Sequence, residues 1–175
     1  MGFFLLIKQE QKELKSVQVN FLRHCFAFLL FISPLASADC FRVVGERFHI
    51  QPLLLRAIAH KESHLYNAVV NSANRNHTED VCMMGINSSH YGELKRFGIT
   101  RQRLLNEPCV CIAAGAWVLN GFFTHYGRSW DTVGMYNTGP NPKLKNLREH
   151  YAADIRRIYR DMAAKENVDE DPFAS

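Results

Sequence analysis

AIAHKESHLYNAVVN, residues 57–71, sets a single carboxylate, Glu62, at the end of an apolar run. Just upstream, Leu54, Leu55, Ile58 and Ala59 recur at helical spacing behind Gln51-Pro52. Proline suits a helix's first turn, where the N–H it lacks would find no intrahelical partner. The pattern predicts a helix that opens at Pro52 and leaves the core near Glu62-Ser63. A lone glutamate at a helix end is ordinarily a solvated surface group. It gains chemical meaning only where other features converge on it.

Outward from this helix, the signals stay helical. Cys40 to Phe48 is a short amphipathic piece, and residues 67–80, rich in Asn, Ser and Thr, read as a polar loop or short irregular hairpin. Asn87-Ser88-Ser89 can cap a helix running to about Phe97 and stopped by Gly98. The longest helix is expected from Pro108 to Tyr126, closed by Gly127; its Ala113, Ala114, Gly115 and Ala116 would let a neighbouring helix come close. A short helix from Ser129 to Tyr136 breaks at Asn137-Thr138-Gly139-Pro140, and a last amphipathic one covers roughly Leu144 to Ala164. Residues 165–175 read as an acidic, flexible, solvated tail. With 175 residues and no repeat or linker, the expectation is one all-α domain over residues 39–164.

The net charge of +4 is too small and too scattered for a nucleic-acid partner, and is compatible with weak attraction to an anionic polymer. Residues 1–38 read as an N-terminal extension and secretory signal: Arg23 and His24, an apolar run from Cys25 to Ile32, then Ala36-Ser37-Ala38 as the cleavage site. That run is well short of the ~20 residues a bilayer span needs, so no stable membrane span is expected after cleavage. Export to the periplasm would leave Cys40, Cys82, Cys109 and Cys111 in an oxidising compartment, where disulfides are the default and three pairings are open. A Cys40–Cys109 bond would tie the mature N-terminus to a later helix. No histidine pair accompanies the cysteines at metal-ligand spacing, so no metal site is expected.

Four motifs line up in order: Glu62-Ser63 at a helix end, Met84-Gly85-Ile86-Asn87, the GAWVLN of the long helix, and Tyr136-Asn137-Thr138-Gly139. Together they resemble the lytic transglycosylases with a goose-type lysozyme-like fold. They are most similar to the small specialised members that accompany type III and type IV secretion systems, conjugation and type IV pili. The resemblance covers roughly Asp39 to Met162. It implies peptidoglycan glycan strands as substrate, components of a secretion or pilus apparatus as partners, and no cofactor. It further implies cleavage of the bond between N-acetylmuramic acid and N-acetylglucosamine, with a 1,6-anhydro ring closing on the former.

By position, Glu62 matches the catalytic acid. Ser63 matches a residue that orients the acid or the sugar, while Met84 and Asn87 match the M-Q-I-N segment of the cleft. Tyr136 and Asn137 match Y-N, whose tyrosine hydroxyl bonds the acid. One carboxylate can suffice, because partial burial keeps a glutamate protonated as an acid, and its anion then serves as base. The sequence departs from the family where Gly85 replaces a glutamine that reaches toward the glycan. It departs again where Cys82 replaces a glycine, which makes Cys82 a candidate partner of Cys111.

Asp80, eighteen positions after Glu62, is either a second carboxylate of the cleft or an exposed loop charge beside Glu79. In the cleft it would support a muramidase-type hydrolase that uses both acids. A non-enzymatic peptidoglycan-binding adaptor is the third reading, favoured only by Gly85. His60, His64 and His90 are expected at the surface, and Trp117 and Trp130 in packing.

Overall fold

The computed structural model describes residues 35–74 and 77–173. The apolar part of the expected signal, within residues 1–34, lies outside the described residues. Its Ala36-Ser37-Ala38 falls inside the first turns of helix α1, Leu35–Phe48.

Helix α2, Pro52–Ser63, begins at the proline and buries Leu53, Leu54, Leu55, Ala57, Ile58 and Ala59. Complete burial of one such leucine or isoleucine contributes roughly 1.5–3 kcal/mol. The helix ends in a Schellman arrangement: His64 takes the left-handed conformation, and the N–H groups of His64 and Leu65 return to the carbonyls of His60 and Ala59.

The polar stretch after it forms a small antiparallel sheet of two-residue strands, β1 Val70–Asn71, β2 Asp80–Val81 and β3 Ile86–Asn87. Val70 pairs with Val81, and Asp80 pairs with both Asn71 and Asn87. The expected capped helix after Asn87 is a 3-10 turn at Ser88–His90, a single α turn α3 at Tyr91–Leu94, and another 3-10 turn at Lys95–Phe97. Asn87 accepts from the Ser89 N–H, so the cap forms as its sequence suggests.

Helix α4, Arg101–Asn106, has no counterpart among the sequence expectations, although Thr100 caps it through the Arg103 N–H. Helix α5, Pro108–Tyr126, is the spine of the fold and packs on α1, α4 and α6, the last spanning Trp130–Thr138. Among the described residues α5 is the helix long and apolar enough to cross a membrane, but its apolar residues are spent on the core. Helix α7, Lys145–Glu166, closes against α2 and α6. Two disulfides join these elements, Cys40–Cys109 with Cα atoms 5.3 Å apart and Cys82–Cys111 at 6.2 Å.

Two further expectations change. At Gly115 the close neighbour is not a helix but the side chain of Met84, from the β2–β3 turn: a Cβ there would sit 2.6 Å from Met84 Cε. The acidic tail also folds back instead of fraying. Asn167 caps α7 in the left-handed conformation, and Tyr159 donates to the Asp169 carbonyl at 2.9 Å. The Phe173 ring packs edge-on to Trp130 and Phe123, with centroids 5.5 and 6.0 Å away. The acids of the tail, residues 166–171, stay exposed, so the ring packs without taking their charges out of water.

Candidate active site

The end of α2, the sheet, the start of the 3-10 turn, α5 and the end of α6 surround an open groove of about 550 Å³. Glu62 lies in its wall, partly buried, and Asp80, Asn87, Tyr136 and Asn137 line the same groove. The sequence therefore brings together residues from four separate segments around one carboxylate.

Burial is the main influence on Glu62 and pushes its carboxyl above the ordinary value. The Tyr151 hydrogen bond opposes this, the Asp80 charge adds to it, and the Lys61 charge works against it. The tyrosine that bonds the acid is Tyr151, on α7, whose hydroxyl donates to Glu62 Oε1 at 2.5 Å. This corrects the expectation for Tyr136, which instead donates to the Met84 carbonyl at 2.7 Å. Burial and the nearby Glu62 charge push both phenols well above their ordinary range, so both remain donors at neutral pH.

Ser63 and Met84 also take different places from those expected. Ser63 is buried behind the groove, and its hydroxyl is shared between the carbonyls of Ala59 at 3.1 Å and Met83 at 3.0 Å. It joins α2 to the β2–β3 turn and does not face a sugar. The Met84 side chain is fully buried against Gly115, leaving only its backbone to serve the site. Gly85 lies against the acid itself: with φ at +61°, its missing Cβ would stand 2.6 Å from Glu62 Oε2. What reads in sequence as a lost polar contact is in space the room that the carboxyl occupies.

Asp80 turns into the groove, while Glu79 turns away to Arg101 and Tyr91. Two amides hold Asp80: Asn87 Nδ2 donates to Oδ1 at 2.7 Å, and Asn74 Nδ2 to Oδ2 at 2.9 Å. Thr78 Oγ1 accepts from the same two amides, so the four side chains form a polar network across the sheet. Asn87 thus serves as cap and as clamp. His90 and Phe122, neither expected in the cleft, complete its far wall, and burial lowers the His90 pKa. The sequence carries a signal for Asn74, in its Asn/Ser/Thr-rich loop, but none that separates Tyr151 from other core tyrosines. Trp117 packs on His90 and Phe97, and Trp130 on Tyr159; both are half-buried packing aromatics, as expected.

A helical body with a small sheet, and an acid at a helix end facing an open groove, define the class of lysozyme-like glycan-cleaving domains. A family model described as the transglycosylase SLT domain matches residues 39–159, and the chain belongs to that family, the lytic transglycosylases its motifs resemble. Protein IpgF of Shigella flexneri is 42% identical over 143 residues, which cover 82% of this chain and 93% of the relative. Invasion protein IagB of Salmonella typhi is 39% identical over 134 residues, 75% of this chain and 83% of that one. The solved structure of an inactive mutant of the lytic transglycosylase Slt from Pseudomonas aeruginosa shares the fold, with a TM-score of 0.63 at 15% identity. The match covers 97% of this chain and 30% of that larger one.

Proposed function

We propose that this lytic transglycosylase acts on peptidoglycan with Glu62 as acid and then base. The observation that carries the reading is one carboxyl, held by Tyr151 and raised by burial, in the wall of a groove open enough for a glycan strand. The protonated carboxyl gives its proton to the bridging oxygen as the bond from N-acetylmuramic acid C1 breaks. The resulting carboxylate takes the proton of the same sugar's C6 hydroxyl, and O6 closes on C1. Acid and base are then one group, which returns to its starting state without consuming water.

Asp80 supports a second reading, since it lines the same groove as an amide-clamped carboxylate. There it would stabilise the oxocarbenium ion or position water, and the products would carry reducing ends. Gly85, which in sequence favours an adaptor, favours it no longer, because it makes room for the acid. The biological role we propose is local opening of the wall in the periplasm, so that a secretion or pilus apparatus can pass. Residues 1–38 would direct the export and residues 39–164 would do the chemistry. The relative named an invasion protein is in keeping with such a role.

Digestion of purified sacculi by wild type and Glu62→Gln, with mass analysis of the released muropeptides, tests these readings. Anhydro-muropeptides that vanish in the variant are the expected result. Reducing ends would make the enzyme a hydrolase, and sacculus binding without any product would leave an adaptor.

A further inference from the structure

The four-residue turn between β2 and β3, Cys82 to Gly85, lies directly behind Glu62: Gly85 lines the groove, and Met84 and Met83 hold the groups around it. Gly85 packs against the Glu62 carboxyl, the Met84 carbonyl accepts from Tyr136, and the Met83 carbonyl accepts from Ser63. The turn closes through the Gly85 N–H to the Cys82 carbonyl at 3.0 Å, and Cys82 itself has φ at +61°, a conformation costly for any residue but glycine. A cysteine in that position needs a reason, and the bond to Cys111 on α5 supplies one. Cys111 also accepts from the Met84 N–H through its sulfur at 3.3 Å. Both cysteines are buried, so the link lies beneath the groove and not on the surface.

We infer that the Cys82–Cys111 disulfide is a positioning element of the reaction, fixing the turn that forms the wall behind Glu62. The inference rests on the proposed role of Glu62. The other disulfide, Cys40–Cys109, joins α1 to the start of α5, and neither of its cysteines lines the groove, yet it closes a longer loop, 69 positions against 29. In a purely stapling role, removal of the longer link would do at least as much harm. In a positioning role, only the shorter one governs the chemistry.

The test compares oxidised wild type, C82A/C111A and C40A/C109A for kcat, KM, Tm and the pH profile of kcat on purified sacculi. The groups that face Glu62 are Lys61 beside it, Asp80, Tyr136 and Tyr151, and all are retained in every variant. Loss of the 82–111 link should lower kcat roughly ten- to a hundredfold, as small misplacements do, with KM little changed. It should also admit water to Glu62 and move the basic limb of the profile to lower pH. C40A/C109A should lower Tm while leaving kcat and the limb in place.

Losses of kcat that follow Tm in both variants, or an unchanged limb in C82A/C111A, would overturn the inference. A second variant, Cys82→Gly with Cys111→Ala, suits the left-handed backbone without the link. Wild-type kcat in that protein would also overturn it, and a persistent loss would support it. Failure of both 82–111 variants to fold where C40A/C109A folds would reduce the link to a staple and overturn it too. Wild type without products would defeat the proposed function itself, whereas active wild type, inactive Glu62→Gln and unaffected cysteine variants would defeat only this inference.

Discussion

Tyr151 donates its hydroxyl to Glu62 Oε1 across 89 positions of chain, while Tyr136, the tyrosine of the Tyr-Asn motif, bonds the Met84 carbonyl. The two phenols share the support of one carboxyl. Tyr151 holds it directly from the last helix, and Tyr136 holds the turn behind it. Helices α2, α6 and α7 thus meet at the acid, and the packing of α7 on both of the others keeps them there.

Glu62→Gln should lower kcat by about two to four orders of magnitude, the range expected when a general acid–base group is removed. Its stability should change with the opposite sign. Burial raises the folded-state pKa of Glu62 above the ordinary 4.5, so ionisation opposes folding. That opposition is absent below the unfolded pKa and complete above the folded one. Gln can still accept from Tyr151, so its Tm should exceed that of wild type at pH 8 and match it near pH 4, as thermal melts at the two pH values would check.

Tyr151→Phe should move the basic limb of kcat upward. Its hydroxyl favours the Glu62 anion, and without it the carboxyl keeps its proton to higher pH. A kcat loss of about tenfold should accompany the shift, since an unheld carboxyl samples unproductive orientations. Tyr136→Phe removes a bond to backbone instead, so it should lower kcat with a smaller displacement of the limb. Full pH–rate profiles of both variants distinguish the two roles.

The place of Glu62 at the end of α2 was legible because Pro52 and the apolar spacing fix where that helix starts, whereas its candidacy as the acid came from the order of the four motifs and not from the helix. The long helix and its glycine stop were legible for the same reason. Tyr151 was not. It shares the inward face of α7 with Tyr159, and helical spacing alone cannot say which of them reaches an acid in another segment. Helix α4 was missed because six residues are too few for a 3.6-residue period to show, and only the Thr100 cap announces it. Met84 was misplaced because a motif gives order along the chain but not which way a side chain turns. Its burial follows from the space above Gly115. The folded-back tail depends on Phe173 meeting Trp130 and Phe123, a contact between distant segments that no local pattern carries.

Asp80→Asn separates the two chemical readings. The Asp80 charge raises the Glu62 pKa, so its loss should bring the basic limb down, in the direction opposite to Tyr151→Phe. The new amide would also point an N–H₂ at a donor from Asn74 or Asn87, loosening the network across the sheet. If Asp80 only tunes Glu62, kcat at low pH should fall by less than about tenfold, and anhydro products should persist. A loss near that of Glu62→Gln, with wild-type products ending in reducing sugars, would place Asp80 in a hydrolytic mechanism.

Gly85→Ala tests whether the glycine exists for its backbone or for the acid beside it. Two costs would arise at this position: strain from φ at +61°, and a methyl 2.6 Å from Glu62 Oε2. Gly98 provides the control, since it has φ at +70° and nothing within 4 Å of the position its Cβ would take. Both alanine variants should lose about 1 kcal/mol or more from the left-handed backbone, seen as a fall in Tm. Only Gly85→Ala should also displace the carboxyl from Tyr151, lowering kcat by roughly ten- to a hundredfold. Gly98→Ala should keep wild-type kcat despite its lower Tm. Equal kcat in the two variants would mean that the carboxyl can turn aside at no catalytic cost, and that the glycine serves the turn alone.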